Sequence, residues 1–158
     1  MLVAVVSDTH HAEKYIKKIR EVIKNADIFI HLGDNVVDSE EISKGFKGKV
    51  FSVRGNCDFE TKVPREEIIQ IEDKRFLLTH GDKYQVKYDN RLLNYAAMEN
   101  DVDAVLYGHT HIPGIEEIDG RYFINPGSPS LPRGNKRTIA FIEIEKGKPL
   151  YSYIYEIL

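Results

Sequence analysis

The sequence has little of what marks secreted, membrane-bound and nucleic-acid-binding proteins. It contains a single cysteine, Cys57, so no disulfide can form within the chain, which favours a reducing compartment over a small secreted scaffold. The formal net charge is only −3, which gives no sign of a general nucleic-acid binder. The N-terminal MLVAVVSDTH lacks a basic lead, and no apolar run approaches the roughly 20 residues of a transmembrane helix. We therefore expect a cytoplasmic protein with no membrane partner.

Length and composition fit one folded domain. A chain of 158 residues is long enough to bury a core, and a content of 42% hydrophobic and 30% charged residues is ordinary for a globular protein. No internal repeat, linker or low-complexity segment divides the chain. We expect a single domain over residues 1–158.

Apolar runs and amphipathic segments alternate in the first half. The strand-like runs LVAVV and ADIFIH flank a helical pattern at 12–24, and a weaker helical pattern at 39–46 precedes the strand-like KVFSVRGN. This alternation is typical of βαβ units and predicts a parallel sheet.

The second half predicts antiparallel pairs around one more helix. IIQIEDKRFLLTHG reads as two strands with a turn at Asp73-Lys74, and a helical pattern covers 88–100 before the strand-like DAVLYGHTH. Asp119-Gly120 lies between two alternating stretches, which is a strong hairpin signal, and a closing hairpin is expected around Lys146-Gly147. The fold class is therefore α/β, mostly parallel first and antiparallel later.

Seven side chains of the kinds that bind metal follow directly after five of the apolar runs. They are Asp8, His10, Asp34, Asn56, His80, His109 and His111. In α/β sheets, ligands bind outside the carboxyl ends of the strands, so these side chains are expected at one rim. The two members of each pair, 8 with 10 and 109 with 111, point to one side if the backbone there stays extended.

A mixed set of carboxylate, amide and imidazole donors suits Mn²⁺, Fe²⁺, Ni²⁺ or Zn²⁺ better than Ca²⁺. Seven donors are too many for one catalytic ion with an open position, but they suit two ions about 3.5–4 Å apart that share a carboxylate. Taken singly, each residue has an ordinary interpretation as a hydrogen-bonded histidine, a turn or a solvated loop, and His11 and His31 are interpreted in that way. Together, the seven predict a metal centre.

Five short motifs occur in an order that resembles the calcineurin-like metallophosphoesterases. They are DTH (8–10), GD (33–34), GN (55–56), THG (79–81) and GHTH (108–111). The length and the later NPGS (125–128) are similar to those of the small YfcE-type phosphodiesterases of bacteria and archaea. The resemblance implies a four-layer α/β/β/α sandwich, in which two mixed β-sheets are flanked by helices.

The resemblance also implies roles for the seven residues. Asp8, His10, Asp34 and His111 would hold one ion, and Asp34, Asn56, His80 and His109 would hold the other, so that Asp34 bridges them. Two divalent ions per chain are expected, with Mn²⁺ preferred and Ni²⁺, Fe²⁺ or Zn²⁺ as alternatives. A hydroxide that bridges the ions would attack phosphorus, and Asp34, Asn56 and His10 are the expected catalytic residues.

Substrate contacts are expected from four further residues. Arg54 and Arg133 would meet a phosphate oxygen through charge-assisted hydrogen bonds, while Asn125 and Gly127 would shape the pocket. The alternatives are a surface ion pair for Arg54 and a purely structural loop around Arg133.

Cys57 stands where many relatives carry a histidine that protonates the leaving group. Near neutral pH a thiol of ordinary pKa is a poor substitute for imidazole as an acid, so we expect Cys57 to be neither ligand nor nucleophile. The predicted consequence is a preference for esters with good leaving groups, such as aryl phosphodiesters. His11 and Asp58 are the alternative proton donors.

The leading hypothesis is a metal-dependent phosphodiesterase that acts on a small phosphate ester. The same site would serve a phosphomonoesterase or a nuclease, although the low positive charge weighs against a nuclease. A protein-binding scaffold of the retromer-subunit type is the alternative from another class. All of the ligand positions are filled, which favours catalysis. The resemblance is compatible with a homo-oligomer, but the sequence shows no interface.

Overall fold

Ten strands and three α-helices make up the described part of the chain, residues 1–59 and 61–158 of a computed structural model. The strands are β1 (Leu2–Val6), β2 (Ile28–His31), β3 (Lys49–Ser52), β4 (Glu66–Ile71), β5 (Lys74–Thr79), β6 (Ala104–Leu106), β7 (Gly114–Ile118), β8 (Arg121–Asn125), β9 (Thr138–Glu143) and β10 (Tyr151–Glu156). The helices are α1 (Glu13–Ile23), α2 (Asp38–Ile42) and α3 (Arg91–Glu99), with a 3₁₀ turn at Asp82–Tyr84. None of the described helices is long and apolar enough to cross a bilayer.

The strands form two five-stranded sheets, and both sheets are mixed. The first has the order β10-β9-β1-β2-β3, in which β1, β2 and β3 are parallel to one another and β9 pairs antiparallel with both β1 and β10. The second has the order β4-β5-β6-β8-β7, with a parallel centre (β5, β6, β8) and antiparallel edges. The α/β class and the parallel first half are confirmed.

The two sheets pack face to face, because the side chains of each strand alternate between two apolar environments. Val3 and Val5 of β1 lie in a central cluster to which both sheets contribute, whereas Ala4 and Val6 lie in a second cluster with α1 and α2. A third cluster joins α3 to the outer face of the second sheet, for example through Leu93. The layers are therefore α/β/β/α, as the resemblance implied.

The helices follow their apolar periodicity where it is strong. α1 buries Ile16, Ile19 and Ile23 at helical spacing and lies within the predicted range 12–24. α2 is shorter than its predicted range 39–46, because only Asp38 and Ile42 are buried and the chain turns at Gly45 with φ +78°.

Two of the predicted turns are confirmed and one is displaced. The Asp119-Gly120 hairpin has φ of 51° and 77°, both positive as a tight hairpin turn requires, and β9 and β10 pair around Gly147. The turn predicted at Asp73-Lys74 lies one residue earlier, because Lys74 already pairs with Ile71 across the strands and Glu72 adopts the left-handed conformation.

Candidate metal centre

The carboxyl ends of β1, β2, β3, β5 and β6 meet at one rim, and the seven expected donors follow these ends. The backbone there is not extended, so the condition under which the two members of the 8/10 and 109/111 pairs would point to one side is not met. Asp8, His10, His109 and His111 have φ of 58°, 46°, 72° and 60°, in the left-handed region that non-glycine residues rarely adopt, and Asp34 has φ 60°. Sharp turns directly after the strands aim the side chains inward, and strain of this kind concentrates at functional sites.

Four of these residues bring one donor atom each into a common space. For Asp8, His10, Asp34 and His111, these atoms all lie within 4.8 Å of one another. His111 Nε2 is 3.1 Å from Asp8 Oδ1, and His10 Nε2 is 3.4 Å from His111 Nε2. His10 Nε2 also lies 3.9 Å from Asp34 Oδ2. The resemblance assigns this same group of four to a single ion.

Asp34 also contacts a second set of donors. Its Oδ2 lies 3.4 Å from His80 Nε2, and His80 Nε2 lies 3.3 Å from His109 Nδ1. Asn56 is different. Its side chain is exposed, and in the described part of the chain its amide contacts only Cys57 Sγ, at 3.8 Å.

One carboxylate oxygen of Asp8 is buried in a position suited to binding a cation. Its Oδ2 accepts hydrogen bonds from Ser7 Oγ (2.6 Å) and the backbone N–H of His109 (3.1 Å). Its Oδ1 is buried and has no hydrogen-bond partner among the described residues. His111 Nδ1 donates to the Leu131 carbonyl at 2.6 Å, so in a neutral ring Nε2 is a bare acceptor that faces Asp8 Oδ1. Two acceptors that face each other need a proton or a metal ion between them, so these residues fit a metal.

The donors on the other side are oriented in the same way. His80 Nδ1 donates to the Leu32 carbonyl at 2.8 Å, which aims Nε2 into the cluster. The backbone N–H of Cys57 donates to Asp34 Oδ1 at 3.0 Å, which leaves Oδ2 for His10 and His80. Supporting hydrogen bonds of this type fix the orientation of metal-binding side chains in advance.

The electrostatics of the cluster also favour positive charge. Burial would raise the pKa of Asp8, but its contacts with the His10 and His111 imidazoles and the charge of His80 hold it well below its usual value. The pKa of Asp34 is lowered in the same way, against burial, by His80. Burial would lower the pKa of His80, but its contact with Asp34 and the charge of Asp8 raise it to about 9. Two ionised, largely buried carboxylates at one point attract a cation.

Comparison with known proteins places the chain in a family. Residues 1–147 match the profile of the calcineurin-like phosphoesterase superfamily domain. The chain belongs to the calcineurin-like phosphoesterase superfamily. A probable metallophosphoesterase of Methanocaldococcus jannaschii is 36% identical over 150 residues, which cover 92% of this chain and 77% of the relative. Phosphodiesterase YfcE of Escherichia coli is 36% identical over 95 residues, which cover 54% of this chain and 47% of that one.

Solved structures show the same fold. An archaeal phosphodiesterase superposes with a TM-score of 0.78 at 26% identity and covers 98% of this chain and 100% of its own. Vps29 of Entamoeba histolytica, solved with Zn²⁺, superposes with a TM-score of 0.79 at 20% identity over the full length of both chains, a likeness of fold alone. The family and fold expectations are confirmed, and the chain is a phosphoesterase that carries a group of side chains able to hold a metal.

Asp58 supports the site of this phosphoesterase in a way that the sequence did not reveal. Its carboxylate accepts hydrogen bonds from the backbone N–H groups of Asp34 (2.8 Å), Val36 (2.9 Å) and Gly55 (2.8 Å). It therefore ties the loop after β2 to the loop after β3. Because both of its carboxylate oxygens accept hydrogen bonds, Asp58 is poorly suited to donate a proton to the leaving group, which was the alternative role expected for it. The only sequence feature that could have indicated this role is the presence of an acidic residue two positions after Asn56.

A buried network holds the loop that carries Asp8 and His10. Thr9 Oγ1 contacts His31 Nε2 at 3.0 Å and donates to Asp38 Oδ2 at 2.6 Å. His11 Nδ1 contacts the same carboxylate at 2.7 Å. The interpretation of His31 and His11 as hydrogen-bonded histidines outside the ligand set agrees with these contacts.

The NPGS segment supports the opposite side of the site. Asn125 donates to Thr110 Oγ1 (3.0 Å) and accepts from the backbone N–H of Gly127 (2.9 Å). Gly127 has φ +75°, and a Cβ there would lie 2.3 Å from Thr138 Oγ1. Ser128 Oγ donates to the Asp8 carbonyl at 2.8 Å. These contacts place the segment under the 109–111 and 8–10 loops, where it shapes the rim.

Two open grooves lie beside the cluster. One, of ≈ 470 Å³, is lined by Thr110, Lys87 and Arg133, and the backbone N–H of Arg133 donates to the His111 carbonyl at 3.2 Å. The other, of ≈ 490 Å³, is lined by Cys57 among other residues. Arg54 keeps its Nε buried, without a hydrogen-bond partner in the described ranges.

Proposed function

We propose that this chain is a phosphodiesterase that holds two divalent ions, with Mn²⁺ preferred, and hydrolyses a small phosphate diester. The observation that carries the proposal is the buried, unpartnered Oδ1 of Asp8, which lies within 3.8 Å of Nε2 of His10, His80 and His111. A carboxylate oxygen enclosed in this way is suited to a metal ion. We also propose that residues 1–158 form one domain, supported by the central cluster that both sheets share. The cytoplasmic location stays a prediction.

The donors divide between the two proposed ions through Asp34. Asp8, His10 and His111 serve one ion together with Asp34, and His80, His109 and Asn56 serve the other. The ions, once bound by these donors, would supply an activated water and would neutralise the charge that develops on the phosphoryl oxygens.

His10 is proposed to lie closest to the incoming ester. Its side chain is 21% exposed, against 12% for His111 and 1% for His80, so it is the more open of these imidazoles. Arg133 and Arg54 are proposed to meet phosphate oxygens, while Asn125 and Gly127 act through the loops they support.

A phosphomonoesterase or a nuclease would use the same donors, and a scaffold of the retromer-subunit type would share the fold. The net charge of −3 weighs against a nuclease. The relatives at 36% identity are a probable metallophosphoesterase and a phosphodiesterase, whereas the likeness to Vps29 stands at 20% identity, which supports catalysis over a scaffold. The phosphodiesterase is therefore the function that the site supports best.

Hydrolysis of bis(p-nitrophenyl) phosphate tests the proposal. We expect activity with Mn²⁺, none with EDTA, and a loss of at least ~10³-fold after Asp34→Asn, because the shared carboxylate is removed. Asp119→Asn is the matched control, since it makes the same change in a hairpin turn that tolerates asparagine. A protein that binds metal but hydrolyses nothing with Mn²⁺, Ni²⁺, Fe²⁺ or Zn²⁺ would favour the scaffold.

The substitution at Cys57 predicts which esters react fastest. Partial desolvation, together with the charge of Asp34, raises the pKa of this exposed thiol to about 11, so it is a weak proton donor. With Cys57→His we expect a gain of about 10²-fold for alkyl esters and little change for aryl esters, as general acid catalysis predicts. Cys57→Ser is the control. An equal response of both ester classes would show that another residue already supplies the proton.

A further inference from the structure

Helix α3 exposes an apolar stripe on the side that faces away from the second sheet. Leu92, Tyr95 and Met98 are 39%, 58% and 52% exposed, at spacings of three residues. The opposite side of the helix is buried against the sheet, for example through Leu93 and Ala97. Single exposed apolar residues are ordinary on a protein surface, but three along one helix face form a continuous surface.

The exposed residues of α3 are symmetric about Tyr95. Arg91 and Glu99 lie four residues before and after it, and Leu92 and Met98 lie three before and after it. Residues three and four apart share a helix face, so all five lie on one side. We call these five residues the α3 stripe. A second α3, antiparallel to the first and related by a two-fold axis at Tyr95, would bring Arg91 to Glu99 and Leu92 to Met98. The stripe is therefore complementary to itself, as a two-fold interface requires.

The charges of the stripe are oriented against the dipole of their own helix. Arg91 lies in the first turn and Glu99 in the last, whereas a helix favours acidic residues at its N-terminus and basic residues at its C-terminus. Within the chain, Arg91 pairs with Asp89 at 3.2 Å, and among residues 1–59 and 61–158 Glu99 has no ion pair. An antiparallel copy reverses the mismatch, because Arg91 then meets the C-terminal end of the partner helix and Glu99 meets the N-terminal end.

We propose that the α3 stripe is the contact between two copies of this chain, packed antiparallel about a two-fold axis at Tyr95. The charge complementarity argues for a second copy as the occupant. A helix of 9 residues covers less than the ~1,000 Å² of a stable interface. The dimer therefore forms reversibly, and its population rises with concentration.

Sedimentation velocity from micromolar to millimolar concentration tests the proposal. The wild type is expected to shift from monomer to dimer, and Tyr95→Asp to stay monomeric. Arg91→Glu and Glu99→Arg each place like charges together across the axis and should weaken the dimer at least tenfold. The double variant Arg91→Glu/Glu99→Arg restores opposite charges and should restore the dimer. Lys17→Glu, a charge reversal on the exposed side of α1, is the matched control and should dimerise like the wild type.

Circular dichroism and thermal unfolding show whether each variant is folded, and all of the changed side chains are exposed. A wild type that remains monomeric at millimolar concentration overturns the proposal. A dimer that survives Tyr95→Asp places the interface elsewhere and overturns it as well. Failure of the double variant to recover, with both single variants impaired, rejects the antiparallel geometry.

Discussion

His31 provides a test of the buried network that holds the 8–10 loop. Its side chain is fully buried, and the backbone N–H of Gly33 donates to Nδ1 at 3.1 Å. The ring proton therefore lies on Nε2, which faces Thr9 Oγ1 at 3.0 Å. Burial lowers the pKa of His31 to about 4, although the charges of Asp38 and Asp8 act in the opposite direction. The imidazole is thus neutral in the folded protein at pH values where it is protonated in the unfolded chain.

The sign and size of the effect on stability follow from this shift. Its pKa is 6.5 in the unfolded chain and about 4 in the folded protein, so the unfolded state takes up a proton first as the pH falls. The contribution of His31 to the free energy of unfolding is therefore fully present above about pH 6.5 and is lost as the pH falls through about 4. A shift of 2.5 units corresponds to about 3 kcal/mol in total, and to about 2 kcal/mol between pH 7 and pH 5.

Urea unfolding of EDTA-treated protein measures this contribution. Between pH 7 and pH 5 we expect the wild type to lose about 2 kcal/mol more stability than His31→Gln, which keeps an N–H for Thr9 but cannot titrate. Comparing the two proteins cancels the other titrating groups. Equal losses in the two proteins, or an NMR titration of the His31 ring near its unfolded pKa, would refute the reasoning.

Three further predictions test the site. Gly108→Ala places a Cβ 2.8 Å from Asp8 Oδ2, so we expect weaker metal binding and a stability, measured by calorimetry, that is about 1–3 kcal/mol lower. The control is Gly134→Ala, whose added Cβ meets nothing within 4 Å and should leave both properties unchanged. The rate of Cys57 alkylation by iodoacetamide should rise about tenfold per pH unit up to about pH 10, and a plateau near pH 8 would contradict the raised pKa of about 11. The rate should also be higher with Mn²⁺ bound, since a cation offsets the nearby carboxylate charge. Metal analysis of His111→Ala should find one ion per chain instead of two, and retention of both would contradict the proposed division of the donors.

Much of this protein is determined by local sequence pattern. The continuous apolar run of β1 predicts a strand buried on both faces, and the helical spacing of Ile16, Ile19 and Ile23 predicts one buried face of α1. Burial of those faces requires layers. The positions of the seven donors relative to the strands were also predictable, because a strand that ends in a polar residue delivers that residue to a known edge of the sheet. Turn positions were less predictable, as Glu72 shows, since several neighbouring residues tolerate a left-handed backbone.

Only the tertiary structure decided how the donors meet. His10 and His111 are 101 positions apart, and their nitrogen atoms come within 3.4 Å because two different sheets end at the same rim. The left-handed backbone at Asp8 is likewise not a local preference. It is held by contacts that close only after folding, among them the bond from Asp8 N–H to the Gly33 carbonyl (2.9 Å) and the bond from Ser128 Oγ to the Asp8 carbonyl (2.8 Å). The apolar periodicity depends only on residues that are neighbours in the sequence, whereas these contacts depend on the path of the whole chain.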